Sequence, residues 1–142
     1  MSGRGDVLVL DDEAIVCERL REHLEKHDFH VETFTDSQAA LDRLAAKRFD
    51  VVVTDLKMKG PDGLDVMHFV RRQAQGTQVI IITGYGSIEA AREAEFSGAY
   101  DFISKPFQME DLRRLIAKAA ARGRKLGRGA ERERRQEGGD PR

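Results

Sequence analysis

Five short aliphatic runs, each followed by a segment of helical periodicity, limit this chain more than any other feature. They are "DVLVL" (6–10), "HVETFT" (30–35), "DVVVTD" (50–55), "QVIIIT" (78–83) and "DFIS" (101–104). Three of the runs are continuous rather than alternating, the pattern of strands buried on both faces of a parallel sheet. The segments between them carry apolar stripes at helical spacing. Residues 14–27 place Val16, Leu20 and Leu24 on one face, and "SQAALDRLAA" (37–46) buries Leu41 and Leu44 behind Ser37 as N-cap. "LDVMHFVRR" (64–72) presents Val66, Met67 and Val70. "SIEAAREAEFSG" (87–98) opens on a Ser87 cap and closes on Gly98 at a left-handed position, with Ile88 and Phe96 as its large apolar anchors. Residues 107–121 carry Met109, Leu112, Ile116 and Ala119.

Strands alternating with helices of this length predict repeated βα units with right-handed crossovers. Five such units make a doubly wound, flavodoxin-like α/β fold: a five-stranded parallel sheet, order 2-1-3-4-5, with helices on both faces. In that order ligands bind above the carboxyl ends of strands 1 and 3, where the winding reverses. The ordered domain is expected over 1–122. From Gly123 on, "GRKLGRGAERERRQEGGDPR" is a charged Gly/Arg/Glu-rich tail nearly free of apolar residues, expected to be disordered or a frayed extension of the last helix.

Composition narrows the function classes. With 40% hydrophobic and 35% charged residues among 142, the chain can build a core. A net charge of −1 gives no global pull toward nucleic acid or membrane, and no aromatic platform accompanies the arginines of the tail. No apolar run approaches the ~18 residues of a membrane span. The single cysteine, Cys17, excludes an internal disulfide and reads as a small core residue. With no signal peptide visible, the expected location is the cytoplasm.

The chemistry sits at the strand ends. Strand 1 ends in Asp11, Asp12 and Glu13, and strand 3 ends on Asp55. Side by side, these acids repel and raise one another's pKa, a conflict that a divalent cation removes. All-oxygen ligands and few carboxylates favour Mg²⁺. The alternative is capping, by Asp12 of the first helix and by Asp55 of a turn; acids on two neighbouring strand ends favour a metal or phosphate site. Strand 4 adds Thr83 and strand 5 adds Lys105 at the same edge. A cation, a hydroxyl and an ammonium around one carboxylate form a phosphoryl-binding arrangement, with Asp55 as nucleophile and an acyl phosphate as product. The Lys105–Pro106 bond is a cis-peptide candidate that can turn the lysine inward.

The segments "VLDDE", "VVVTDLKM…GPDGLDVM", "VIIITGYGSIEAAREA" and "GAYDFISKPF" resemble the receiver domains of bacterial response regulators, over residues 6 to about 121. The resemblance implies a two-component phosphoacceptor. Asp11 and Asp12 hold Mg²⁺, Asp55 accepts the phosphoryl group, Lys57 adds a backbone carbonyl to the metal, and Thr83 and Lys105 contact phosphoryl oxygens. The donor is a sensor histidine kinase, a phosphotransfer protein or a small acyl phosphate. Thr83 and Phe102 form the switch, which reshapes the face made by segment 87–98, strand 5 and the last helix for a downstream protein target or a homodimer. Pro61 falls later than the family's usual proline, and Phe102 lacks a hydroxyl; Tyr100, by alternation, is expected on the same face as Phe102. Lys57 and Tyr85 are expected to modulate access of water to the acyl phosphate. The expected regulator is a stand-alone receiver; the alternatives are a phosphorelay intermediate or a receiver fragment of a transcriptional activator.

Two other classes compete. A Mg-dependent aspartate-nucleophile phosphatase of the haloacid-dehalogenase type wants a second aspartate two residues after the nucleophile, where Asp11 is followed by Glu13, and a downstream acidic pair that residues 101–111 do not supply. A nucleotide or flavin module wants a Gly- or Ser/Thr-rich loop after strand 1, where "DDEAIV" is acidic. His23 and His27, one turn apart in "HLEKH", do not match HExxH and read as helix-end histidines favoured by the dipole.

Overall fold

The computed structural model describes residues 3–84, 92 and 98–138. In chain order the elements are β1 (Gly5–Leu10), α1 (Ala14–Glu25), β2 (Phe29–Phe34), α2 (Ser37–Ala46), β3 (Val51–Asp55), α3 (Gly63–Gln73), β4 (Gln78–Thr83), β5 (Asp101–Ser104) and α4 (Met109–Gly138). The strands form one sheet in the order β2-β1-β3-β4-β5, with every pairing parallel. The expected flavodoxin-like doubly wound fold is thus the observed one. Among the described residues no helix is long and apolar enough to cross a membrane.

Period-two alternation splits the aliphatic runs between two cores. Val7, Val9, Val51, Val53, Ile80 and Ile82 point to one face, where Leu20 and Leu24 of α1 and Leu112 and Ile116 of α4 cover them. Leu8, Leu10, Val52, Val79 and Ile81 point to the other, under Ala40 and Leu44 of α2 and Val66, Met67 and Val70 of α3. Covered on both faces, these strands need no polar positions, which is why their sequences do not alternate.

Local capping departs from expectation at α2. The N-cap is Asp36, whose carboxylate accepts from the Ala39 amide at 2.9 Å; Ser37 is the first helical residue, and its hydroxyl donates to the Lys59 carbonyl at 3.2 Å. The carboxylate at Asp36 is the group within reach of the third helical amide, so the helix starts there. Asp62 caps α3 in a reciprocal pair with Asp65. The expected helix over 87–98, with Ser87, Ile88 and Phe96, lies outside the described residues except for Arg92 and Gly98, and Gly98 has the positive φ (+105°) anticipated for it.

From Gly123 on, where the expectation was disorder or a frayed extension of the last helix, the chain continues that helix, and α4 runs to Gly138. Arg, Glu, Lys and Ala are strong helix formers, so low hydrophobicity here does not mean absence of structure. The first turns past 122 are also docked on the sheet's amino edge. Arg48 Nη2 donates to the Gly123 carbonyl at 2.6 Å, and Arg124 lies 3.5 Å from the buried Asp50 carboxylate. A Cβ on Gly123 would stand 2.4 Å from the Asp50 carbonyl oxygen, so glycine permits this crossing.

Candidate functional site

Strand register brings the predicted acids together. Leu10 pairs with Thr54, so the residues that follow, Asp11 and Asp55, emerge side by side where the chain order reverses between β1 and β3. Asp11 is fully buried, and its Oδ1 accepts from the Glu13 amide at 2.9 Å. Asp55 ends β3, and its Oδ1 accepts from the Lys57 amide at 3.3 Å. The capping alternative fails for Asp12: α1 begins after Glu13, with no side-chain cap. Behind Asp55 the chain folds back tightly, the Gly63 amide donating to the Leu56 carbonyl at 2.9 Å. A Cβ on Gly63 would lie 2.7 Å from the Asp55 carbonyl oxygen, so this loop needs a glycine for close approach.

Lys105 enters from the other side. Its amide donates to the Thr83 carbonyl at 2.8 Å, continuing the β4–β5 ladder past the last strand residue, and its peptide to Pro106 is cis. The ammonium lies 3.1 Å from Asp11 Oδ2, 3.2 Å from Asp55 Oδ2 and 3.0 Å from Glu13 Oε1. Burial alone would lower the pKa of Lys105; its close contacts with the Glu13 and Asp11 carboxylates, and the charges of Asp11 and Asp55, outweigh it and hold the ammonium above its usual range. For Asp11 the balance goes the other way: burial raises its pKa more than the Glu13 amide and Lys105 lower it.

The donor set suits a hard cation. Asp11, Asp12 and Asp55 each offer an oxygen, all within 4.8 Å of one another, and among the described residues no histidine or cysteine joins the cluster. Asp11 Oδ2 is buried and, despite its 3.1 Å ion pair with Lys105, accepts no well-directed hydrogen bond. An ionised, incompletely satisfied buried oxygen is costly unless a cation meets it.

The remaining predicted residues are placed as follows. Thr83 is buried at the end of β4, where its hydroxyl makes a long contact of 3.5 Å with the Ile103 carbonyl. Phe102 is half-buried against the core under α2 and α3. Tyr100 does not share its face and packs on the opposite core: it lies one residue before β5, so strand alternation does not reach it. Lys57 is exposed and meets Asp55 through its amide. Tyr85 lies outside the described residues, as does the 87–98 part of the expected target face apart from Arg92 and Gly98. Sequence reasoning missed the grip of Glu13 on Lys105, 92 positions away, and the role of Gly63. The only sequence signal for Gly63 was a glycine directly before an apolar helical stripe.

Residues 7–117 match the family model described as the response regulator receiver domain. The chain is 36% identical over 119 residues to the transcriptional regulatory protein FixJ of Bradyrhizobium diazoefficiens, covering 84% of this chain and 58% of that protein. It is 33% identical over 116 residues to the response regulator protein PilR of Pseudomonas aeruginosa, covering 82% of this chain and 26% of that one. Among solved structures, a response regulator receiver domain protein from Clostridium thermocellum superposes with a TM-score of 0.79 at 31% identity, covering 85% of this chain and 98% of the other.

Proposed function

Because this chain belongs to the response regulator receiver domain family, we propose that it accepts a phosphoryl group on Asp55 in a Mg²⁺-dependent reaction and acts as a signalling phosphoacceptor. The observation that carries this reading is the Lys105 ammonium, within 3.2 Å of both Asp11 and Asp55 where two neighbouring strands end. Asp55 Oδ attacks the phosphorus of a donor: the carboxyl O–P bond forms, and the bond from phosphorus to the donor's leaving nitrogen or oxygen breaks. Asp11, Asp12 and Asp55, with the Lys57 carbonyl, would hold Mg²⁺, whose charge when bound offsets that on the phosphoryl oxygens. Lys105 exchanges carboxylate partners for a phosphoryl oxygen, and Thr83 turns its hydroxyl from the Ile103 carbonyl to another. Its departure leaves room for Phe102, half-buried beside it on β5, to move inward.

The donor is a histidine kinase or phosphotransfer protein. Beside Lys105 lies an open groove of about 480 Å³ lined by Ile15, Val16, Pro106, Phe107 and Met109. Ile15 is 52% exposed there, an apolar contact for a donor domain at the mouth of the site. The chain spans only 58% and 26% of the two curated relatives named above. The relative named as a transcriptional regulatory protein, FixJ, favours a receiver that serves a transcriptional output over one acting alone, and it lends no support to the expectation that nucleic acid is unlikely as a partner of the regulator.

The test is incubation with acetyl phosphate and Mg²⁺, followed by intact-mass measurement. Wild type gains one phosphoryl mass; Asp55→Asn and Mg²⁺-depleted protein do not. Equal labelling of Asp55→Asn overturns the assignment of the acceptor. Sustained turnover of phosphate esters by the protein alone favours the aspartate-nucleophile phosphatase instead.

A further inference from the structure

A second cluster of ligating side chains lies away from the acidic site, where the end of α1 meets the first turn of α4. His23 Nε2 stands 3.2 Å from Glu110 Oε1, and His27 Nε2 stands 4.0 Å from the same oxygen. The imidazoles are stacked, with ring centroids 4.9 Å apart. One ligand atom from each of the three residues lies within 4.8 Å of the other two. We infer that His23, His27 and Glu110 form a site for a borderline divalent transition metal of the zinc class.

The chemistry of the donors selects that class. Two imidazoles and one carboxylate are a recurrent three-ligand set for zinc, with the fourth position open. Hard ions such as Mg²⁺ prefer all-oxygen sets. Bonds of ~2.0–2.1 Å at tetrahedral angles put ligand atoms about 3.3 Å apart. The His23–Glu110 pair already has that spacing, and His27 closes the remainder by a small side-chain shift. His23 lies in the last turn of α1 and His27 in the turn that follows it, where the His27 amide bonds back to the Leu24 carbonyl at 3.0 Å and keeps its ring beside that of His23.

In both rings it is Nε2 that faces the carboxylate and would meet an ion, while His27 Nδ1, on the far side of its ring, is buried with no hydrogen-bond partner among the described residues. Arg113 bonds both oxygens of Glu110, its Nε meeting Oε1 at 2.8 Å, and Arg114 lies 3.6 Å from Oε2. These arginines compete with the ion for the carboxylate; Arg113 must release Oε1 when metal binds. Bound metal would clip the end of α1 to α4 only a few residues beyond Lys105–Pro106, without using any residue of the acidic site.

Tag-free protein is dialysed against Zn²⁺ with excess Mg²⁺ present, and bound zinc is counted by atomic absorption. Co²⁺ serves as a spectroscopic probe. One zinc per chain is expected, with visible d–d bands from four-coordinate Co²⁺. His23→Ala, His27→Ala and Glu110→Gln each weaken binding at least about tenfold. His30→Ala, His68→Ala and Asp12→Asn leave it unchanged. Binding that survives the His23→Ala/His27→Ala double variant, or that disappears in Asp12→Asn, overturns the assignment, as does wild type that retains no zinc at micromolar free metal. None of these readouts depends on phosphorylation, so failure here is separable from failure of the phosphoacceptor reading.

Discussion

Asp11 shows how a functional side chain acts against the fold that holds it. Its carboxylate is fully buried, and burial raises its pKa despite the nearby ammonium. An acid whose ionised form is disfavoured by folding subtracts from stability at neutral pH. Asp11→Asn is therefore expected to stabilise the metal-free protein by about 1 kcal/mol, or a rise of about 4 °C in Tm, while abolishing its response to Mg²⁺. Thermal melts in EDTA and in Mg²⁺ check both halves; a lower Tm in EDTA would show that the Lys105 contact outweighs burial. The strand-end acids were legible in the sequence because an aspartate terminating an aliphatic run is conspicuous. The hold of Glu13 on Lys105 and the pairing of His23 with Glu110 were not, since contacts across 92 and 87 positions leave no periodic trace.

Elements were legible where one force dominated. Three of the five strands follow from uninterrupted aliphatic runs and the other two from shorter apolar runs, and their order follows from short right-handed βα connections. A misreading arose where a local rule was extended past its element, as with Tyr100; at the charged end of α4, composition alone left disorder and helix extension undecided. That end offers a discriminating pair of substitutions. Replacing a helical glycine with alanine ordinarily stabilises by about 1 kcal/mol. Gly129 has open space around it, so Gly129→Ala is expected to follow the rule; Gly123→Ala is expected to destabilise by roughly 1–3 kcal/mol, because the new methyl meets the Asp50 carbonyl. Urea midpoints separate the two. A different link joins β2 to α2: Arg43 Nε and Nη2 grip Glu32 at 2.7 and 3.1 Å, with Lys47 at 3.2 Å. The Arg43 hydrogen bonds lower the pKa of Glu32 against the effect of burial, with Lys47 assisting. A depressed carboxylate stabilises above its unfolded pKa, and the benefit fades as pH falls through the folded one. Glu32→Gln is thus expected to cost roughly 1 kcal/mol at pH 7, with the gap closing toward pH 3. A gap independent of pH would assign the loss to packing.

For the whole molecule, the first turns of α4 past 122 pack on the body of the domain. Leu126 and Gly127 pack on Gly76, which has a φ of +80° and no room for a side chain, while Arg48 and Asp50 hold the preceding turn. Ending the chain after Arg122 is expected to cost roughly 1–3 kcal/mol, and ending it after Arg128 less than about 0.5. Equal urea midpoints for the two truncations would make the docking ornamental.

The 30 residues of α4 also set a distance. At 1.5 Å per residue the helix extends about 45 Å, more than twice the depth of a sheet whose strands are about 20 Å long. It starts beside the phosphoacceptor rim and crosses the body to emerge at the antipode. A fluorescent reporter joined there would stand well clear of an incoming kinase, so fusion at that pole should leave phosphotransfer unobstructed.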